Sequence, residues 1–82
     1  MTQTELINYW IERIKNDNKI FKNCEFKDCK LIQHKNTIWL KTYVEGEYRY
    51  FYIRVVRGKI KWYNGSIYCY NEYAYNEYKD VL

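Results

Sequence analysis

The 82-residue chain has no proline, one alanine, three glycines, three cysteines and one histidine. Each shortage closes off a class of protein. No apolar run approaches the ~18 residues of a membrane span, and Met1 opens onto a polar amphipathic stretch rather than a secretory signal region. An odd cysteine count at irregular spacing argues against a disulfide framework and predicts a soluble, unsecreted protein of a reducing cytoplasm. With a single histidine, His34, and no serine or cysteine in a nucleophile elbow around it, nucleophilic catalysis has no recognisable machinery. G-x-G-x-x-G, P-loop and H-E-x-x-H patterns are all missing.

A zinc site is the sharpest metal reading, from Cys24, Cys29, His34 and Cys69. The four residues between Cys24 and Cys29 sit at the edge of structural-zinc spacing, and strand alternation sends Cys69 and His34 to opposite sides of the sheet. Small buried thiols and a surface histidine account for the same residues, so no metal and no cofactor is expected. Glu45 and Glu47 flank a turn and read as solvated carboxylates. The expectation is a protein that is not an enzyme.

What the chain has in abundance is aromatic and basic. Aromatic residues make up 21%, with Tyr 11, Trp 3 and Phe 3. A chain of this length forms one domain whose core rarely supplies more than about 3–5 kcal/mol, so ring burial of roughly 150–250 Å² per residue must carry much of the stability. Net charge is +4, but between Cys29 and Tyr70 eight basic residues meet two acidic ones, a surplus of six that leaves −2 for the two ends together. The positive field belongs to the middle of the chain. Asn, Lys, Ile, Tyr and Phe make up half of the residues, a bias toward AT-rich codons that suggests a bacterial, archaeal, phage or mobile-element source.

Thr2-Gln3-Thr4-Glu5 has capping-box spacing, and Leu6, Ile7, Trp10, Ile11 and Ile14 recur at helical intervals. An amphipathic helix over about 3–16 follows. Ile20, Phe21, Cys24 and Phe26 fit neither period, so 19–27 reads as irregular with at most one helical turn. From 29 to 70 the period becomes two. A Glu45-Gly46 loop places Val44 opposite Glu47, Leu40 opposite Phe51 and Ile38 opposite Ile53. The same register sets Tyr43 against Tyr48, Lys41 against Tyr50 and Trp39 against Tyr52. Loops at Arg57-Gly58 and Asn64-Gly65 add the pairs Val55–Ile60, Ile53–Trp62, Trp62–Ile67 and Ile60–Cys69. Cys29, Leu31 and Gln33 alternate with Lys30, Ile32 and His34, predicting a further strand joined through Lys35-Asn36. Ala74, Tyr78 and Val81 are spaced for a short helix within 71–82, although Tyr73 and Tyr75 also permit a strand.

The fold expected is therefore α+β: an N-terminal helix packed on a four- or five-stranded antiparallel meander, ending in a short helix or tail. One face, with Ile38, Leu40, Val44, Phe51, Ile53, Val55, Ile60, Trp62, Ile67 and Cys69, should take the helix. The other carries Trp39, Lys41, Tyr43, Tyr48, Tyr50, Tyr52, Arg54, Lys59, Lys61, Tyr63, Tyr68 and Tyr70, and is the expected partner-binding surface. Fully exposed, it would exceed the few hundred Å² of apolar patch usual on a monomer. Segment 71–82, a second copy of the chain in a homodimer, or a partner must cover at least part of it.

One helix followed by an antiparallel meander resembles the cystatin architecture, but the Gln-Val-Val-Ala-Gly loop of cystatins is absent, so protease inhibition does not carry over. In size, composition and lack of catalytic motifs the chain is similar to small phage proteins that block host defence, anti-CRISPR proteins among them. The function expected is that of a non-enzymatic binding protein occupying a host protein or nucleoprotein complex, with the host cytoplasm as its place of action if the source is viral. Single-stranded nucleic acid is the second candidate partner, since bases stack on tyrosines ringed by Lys and Arg. The RNA-recognition signature is missing, and a sequential meander is not its strand order. A small enzyme ranks third.

Overall fold

The computed structural model describes residues 2–35, 37–53 and 68–81, together with the backbone of 55–56 and 59–60. Helix α1 spans Gln3–Asp17 and starts where its capping box forms: the Thr2 hydroxyl accepts the Glu5 N–H, and the Glu5 carboxylate accepts the Thr2 N–H. Asn18 ends α1 and begins a 3₁₀ turn, Lys19–Phe21. Its N–H donates to the Ile14 carbonyl, while its Oδ1 accepts the Ile20 N–H at 3.2 Å. With φ −131° and ψ 101°, Asn18 leaves the helix in extended backbone, so this end needs no left-handed glycine.

Strands β1 (Lys27–His34), β2 (Thr37–Val44) and β3 (Glu47–Ile53) follow as an antiparallel meander. Every β2–β3 pair expected from the Glu45-Gly46 loop is present, from Val44 opposite Glu47 to Ile38 opposite Ile53. Both loop residues adopt positive φ, 53° at Glu45 and 84° at Gly46, the backbone of a type I′ turn whose twist matches that of the strands. The Lys35-Asn36 connection sets His34 opposite Thr37, Ile32 opposite Trp39 and Lys30 opposite Lys41. The register slips between Lys27 and Lys30, where Asp28 takes φ 52°.

Beyond β3 the strand order departs from a sequential meander. Strands β4 (Val55–Val56) and β5 (Lys59–Ile60) pair with each other as a separate two-stranded unit, with Val55 opposite Ile60 as expected. Strand β6 (Cys69–Asn71) then pairs directly with β3, giving the order β1-β2-β3-β6. Cys69 therefore lies opposite Phe51, not Ile60. The outer edge of β3 carries backbone groups that need partners. Residues 69–71 supply them, extended by the Tyr52 N–H donating to the Tyr68 carbonyl at 3.1 Å. Sidedness survives the change: Cys69 stays on the face of Phe51 and Tyr70 on that of Tyr50. The expected Ile53–Trp62 and Trp62–Ile67 pairs lie outside the described residues. Helix α2 (Glu72–Tyr78) leaves β6 without a loop, capped by Asn71, whose Oδ1 accepts the Ala74 N–H at 2.8 Å.

The first core lies between α1 and the sheet. Trp10, Ile14, Phe21, Leu40, Val44, Phe51 and Ile53 are buried there, with Leu6, Ile7, Leu31, Ile38 and Cys69 around them. The segment that matched neither period turns out to furnish ring contacts. Phe21 meets Phe51 edge-on at 5.5 Å, and Phe26 lies 6.2 Å from Phe51. Phe51 is thus the ring around which helix, 3₁₀ turn and sheet converge. Replacing Phe51 by alanine should cost about 3–5 kcal/mol, a large share of the stability of a small domain. Chemical denaturation should show this as a lowered midpoint, and an unchanged midpoint would contradict the packing described.

Candidate functional site

The opposite sheet face follows from the same alternation. Three cross-strand rows run over it: Ile32, Trp39 and Tyr52; then Lys30, Lys41, Tyr50 and Tyr70; then Lys27, Tyr43 and Tyr48. Helix α2 lies over the first two. Tyr75 stacks on Tyr50 at 4.0 Å with the planes 8° apart, and meets Trp39 edge-on at 4.9 Å. Tyr52 and Tyr70 complete the ring cluster at 5.1 and 5.4 Å from Trp39. As a result Trp39 is 0% and Tyr50 4% exposed. These two residues, expected on a binding surface, form a second core with Tyr75.

Polar atoms inside this cluster are satisfied. The Trp39 indole N–H donates to the Thr37 hydroxyl at 2.9 Å, and that hydroxyl donates to the His34 carbonyl at 2.6 Å. The Tyr50 hydroxyl donates to Glu72 at 3.2 Å. Burial, with Glu72 adding to it, pushes the Tyr50 phenol above its ordinary pKa, and burial does the same for Tyr70 and Tyr75.

The third row remains open. Tyr43 is 40% exposed and meets Tyr48 edge-on at 5.2 Å. The Lys41 ammonium sits 4.8 Å from the Tyr48 ring centre and 5.6 Å from that of Tyr50. The Tyr48 hydroxyl donates to Asp28 at 2.6 Å, and this hydrogen bond to a carboxylate is the first cause of its raised pKa. Tyr68, also exposed, lies at the far side beside β6. The arrangement offers ring faces, a cation and phenolic hydrogen bonds, the chemistry of non-covalent recognition. Of the other expected residues, Arg54, Lys61 and Tyr63 and the side chain of Lys59 lie outside the described residues.

The cysteine and histidine groups are engaged separately. Cys24 Sγ lies 3.5 Å from the Ile20 carbonyl, Cys29 Sγ 3.1 Å from the Thr42 hydroxyl, and His34 bonds Asp80. Burial raises the Cys69 thiol pKa. Among the described residues no group of three or more His, Cys, Asp or Glu is placed to hold a metal.

Sequence reasoning missed what holds the cover. The short helix at 72–78 is present, but Tyr75, read as permitting a strand, is its buried anchor, while Tyr78 and Val81, read as its apolar spacing, are exposed. Asp28, bonded to Tyr48, also belongs to the open end, and Lys30 is exposed at the outer edge of the second row, where the Lys35-Asn36 turn read as a two-residue loop would have placed it, beside Lys41. Comparison with protein-family models, curated proteins and solved structures found no match.

Asp80 ties the end of α2 to the β1–β2 turn. It accepts from His34 Nε2 at 2.6 Å, which must carry the proton because a carboxylate only accepts, and it pairs with Lys35 at 3.2 Å. Those hydrogen bonds, His34 first and Lys35 second, hold its carboxyl below the ordinary value. A depressed folded pKa stabilises the docked helix above the unfolded carboxylate's pKa, and that contribution disappears as pH falls through the folded value. An NMR titration should therefore place the Asp80 midpoint below that of an aspartate in unfolded chain, and Lys35→Ala should move it upward. A midpoint unmoved by Lys35→Ala would show that the pair is absent in solution.

Proposed function

We propose that this is a non-enzymatic binding protein that acts by occupying a host protein or nucleoprotein complex, and that its contact surface is the open end of the tyrosine face. The observation that carries the reading is the Tyr43–Tyr48 pair with Lys41 beside it. Tyrosine presents large contact area with few torsions to freeze, which is why it is enriched where proteins recognise one another. Here Tyr48 is already held by Asp28 at its hydroxyl and Lys41 at its ring, so little ordering remains to be lost on binding. A phage or mobile-element source, with inhibition of a host defence complex in the host cytoplasm as the outcome, is the narrower form of this proposal; its support is the coding bias, the small size and the lack of a catalytic motif. No helix among the described residues is long and apolar enough to cross a membrane.

Single-stranded nucleic acid is the second reading, favoured by one observation. Lys30 and Lys41 stand directly opposite each other, a like-charge pair that costs stability in a sheet and that a phosphate would relieve. Asp28 and Glu72, each bonded to a tyrosine of the same face, weigh against it.

Tyr43 is the probe of choice because its exposure allows replacement without disturbing either core. As a hot spot, Tyr43→Ala should weaken capture of the partner from host lysate by about 2 kcal/mol, roughly thirtyfold, in a protein that stays folded and loses only the modest contribution of the Tyr48 contact to its melting temperature. Nuclease treatment should leave the wild-type capture intact. Capture abolished by nuclease would favour the nucleic-acid reading, and capture indifferent to Tyr43→Ala would remove this surface from both.

A further inference from the structure

We propose that α2 is a displaceable internal cover, standing in for an acidic, tyrosine-bearing helical segment of a partner protein that takes its place on Trp39 and Tyr50. The proposal rests on the reading of the tyrosine face as the binding surface and names the partner's chemistry.

Three features of α2 support it. Its attachment is thin: one ring, Tyr75, is buried, Tyr78 touches Tyr70 at 5.9 Å but stays exposed, and Tyr73 is exposed as well. A seven-residue helix does not hold its own structure in water, so α2 is helical only while docked. The contacts at its two ends, Glu72 to the Tyr50 hydroxyl and Asp80 to His34 and Lys35, involve part-buried or exposed groups, which water and salt weaken. Segments held this way open locally at far smaller cost than the whole domain.

Its charge also matches its seat. Residues 71–82 carry Glu72, Glu77 and Asp80 against Lys79, a balance of −2, and they meet His34 and Lys35 directly, with Lys41 beside the Tyr50 ring they cover. The pattern is a ring flanked by carboxylates: Tyr75 on Tyr50 and Trp39, Glu72 on a phenol donor, Asp80 on a histidine and a lysine. Whatever replaces α2 meets the same ring seat and the same donors at its two ends.

Finally, the covered and open parts are one surface. Lys41 contacts Tyr48 in the open row and Tyr50 under the cover, and Tyr43 lies two residues along β2 from it. Release of α2 would add Trp39, Tyr50, Tyr52 and Tyr70 to the Tyr43–Tyr48 patch without rearrangement of the sheet.

The test uses a fluorescently labelled peptide of residues 71–82 added to the full-length chain, read by anisotropy. In Tyr75→Ala the resident helix loses its anchor, so the peptide should bind saturably. The wild type should bind it at least about tenfold more weakly, since apparent affinity falls with the fraction of molecules whose seat is free. If Tyr75→Ala does not fold, the double variant Glu72→Gln, Asp80→Asn loosens both ends and takes the same assay. Equal binding to wild type and variant, or none to a folded variant, overturns the proposal, as does loss of folding in both variants, which would make α2 integral to the domain. An oligo(dT) strand run in parallel separates the partner classes: tight binding of the oligonucleotide to the variant with none of the peptide would also overturn it. Failure of the peptide alongside Tyr43-dependent capture would leave the binding reading standing and remove only the cover.

Discussion

A strand that buries residues on both of its faces must be covered twice, and β2 and β3 impose that demand on the rest of the chain. Along β2, Leu40, Thr42 and Val44 point to one side and Trp39 to the other, all of them buried except for trace contact. Along β3, Phe51 and Ile53 face Leu40 while Tyr50 faces the opposite way. A central hairpin built like this favours states in which both faces are covered. The chain answers with α1 and the 3₁₀ turn on the aliphatic side and with α2 on the aromatic side, so that a domain of this length has two small cores back to back.

The two cores differ in what they tolerate. The first is made of aliphatic and phenylalanine side chains together with the Trp10 indole, with Thr42 its one buried hydroxyl among the described residues, and it is closed mainly by shape and area. The second is made of rings that carry polar atoms, so each ring needs a donor or acceptor as well as a neighbour. Thr37 meets that need by accepting from Trp39 and donating to the His34 carbonyl. Thr42 makes the matching bond at the other end of β1, donating to the Lys27 carbonyl at 2.8 Å beside the slipped register. Two buried threonines thus fasten both ends of β1 to β2, and the stagger at Asp28 that aims its carboxylate at Tyr48 is held between them.

The legibility of these features in the sequence divides along one physical line. Helix α1 and the β2–β3 register were readable because their causes are local: Thr2 and Glu5 are three residues apart, and Glu45-Gly46 fixes every pair of its hairpin. The neighbour of β3 was not readable, because turn chemistry at 57–58 and 64–65 describes how a chain reverses and says nothing about which strand edge remains unfilled. The alternation of Cys69 and Tyr70 still gave their faces correctly, since a strand's sidedness is set before its partner is chosen. At the site, the register puts Trp39, Tyr43 and Tyr50 on one face, as the structure has them, and segment 71–82 is among the covers the sequence allows. Alternation does not tell which rings that segment reaches, and the position of Tyr75 decides it, burying Trp39 and Tyr50 and leaving Tyr43 open.

Lys41 lies where those two conditions meet. Its ammonium is within cation–π range of both Tyr48 and Tyr50, an attraction of about 0.5–2 kcal/mol that grows as water is removed. Its half-buried stem borders the second core while its charge remains at the edge of the open row. Asp28 and Glu72 bracket the same rings from the hydroxyl side, so charges of both signs border an aromatic surface that would otherwise be a plain hydrophobic patch. A surface of that kind resists indiscriminate association, because charges left without complements are costly to take out of water. The tyrosine face therefore owes its area to the rings, and any selectivity it has to the few charges set among them.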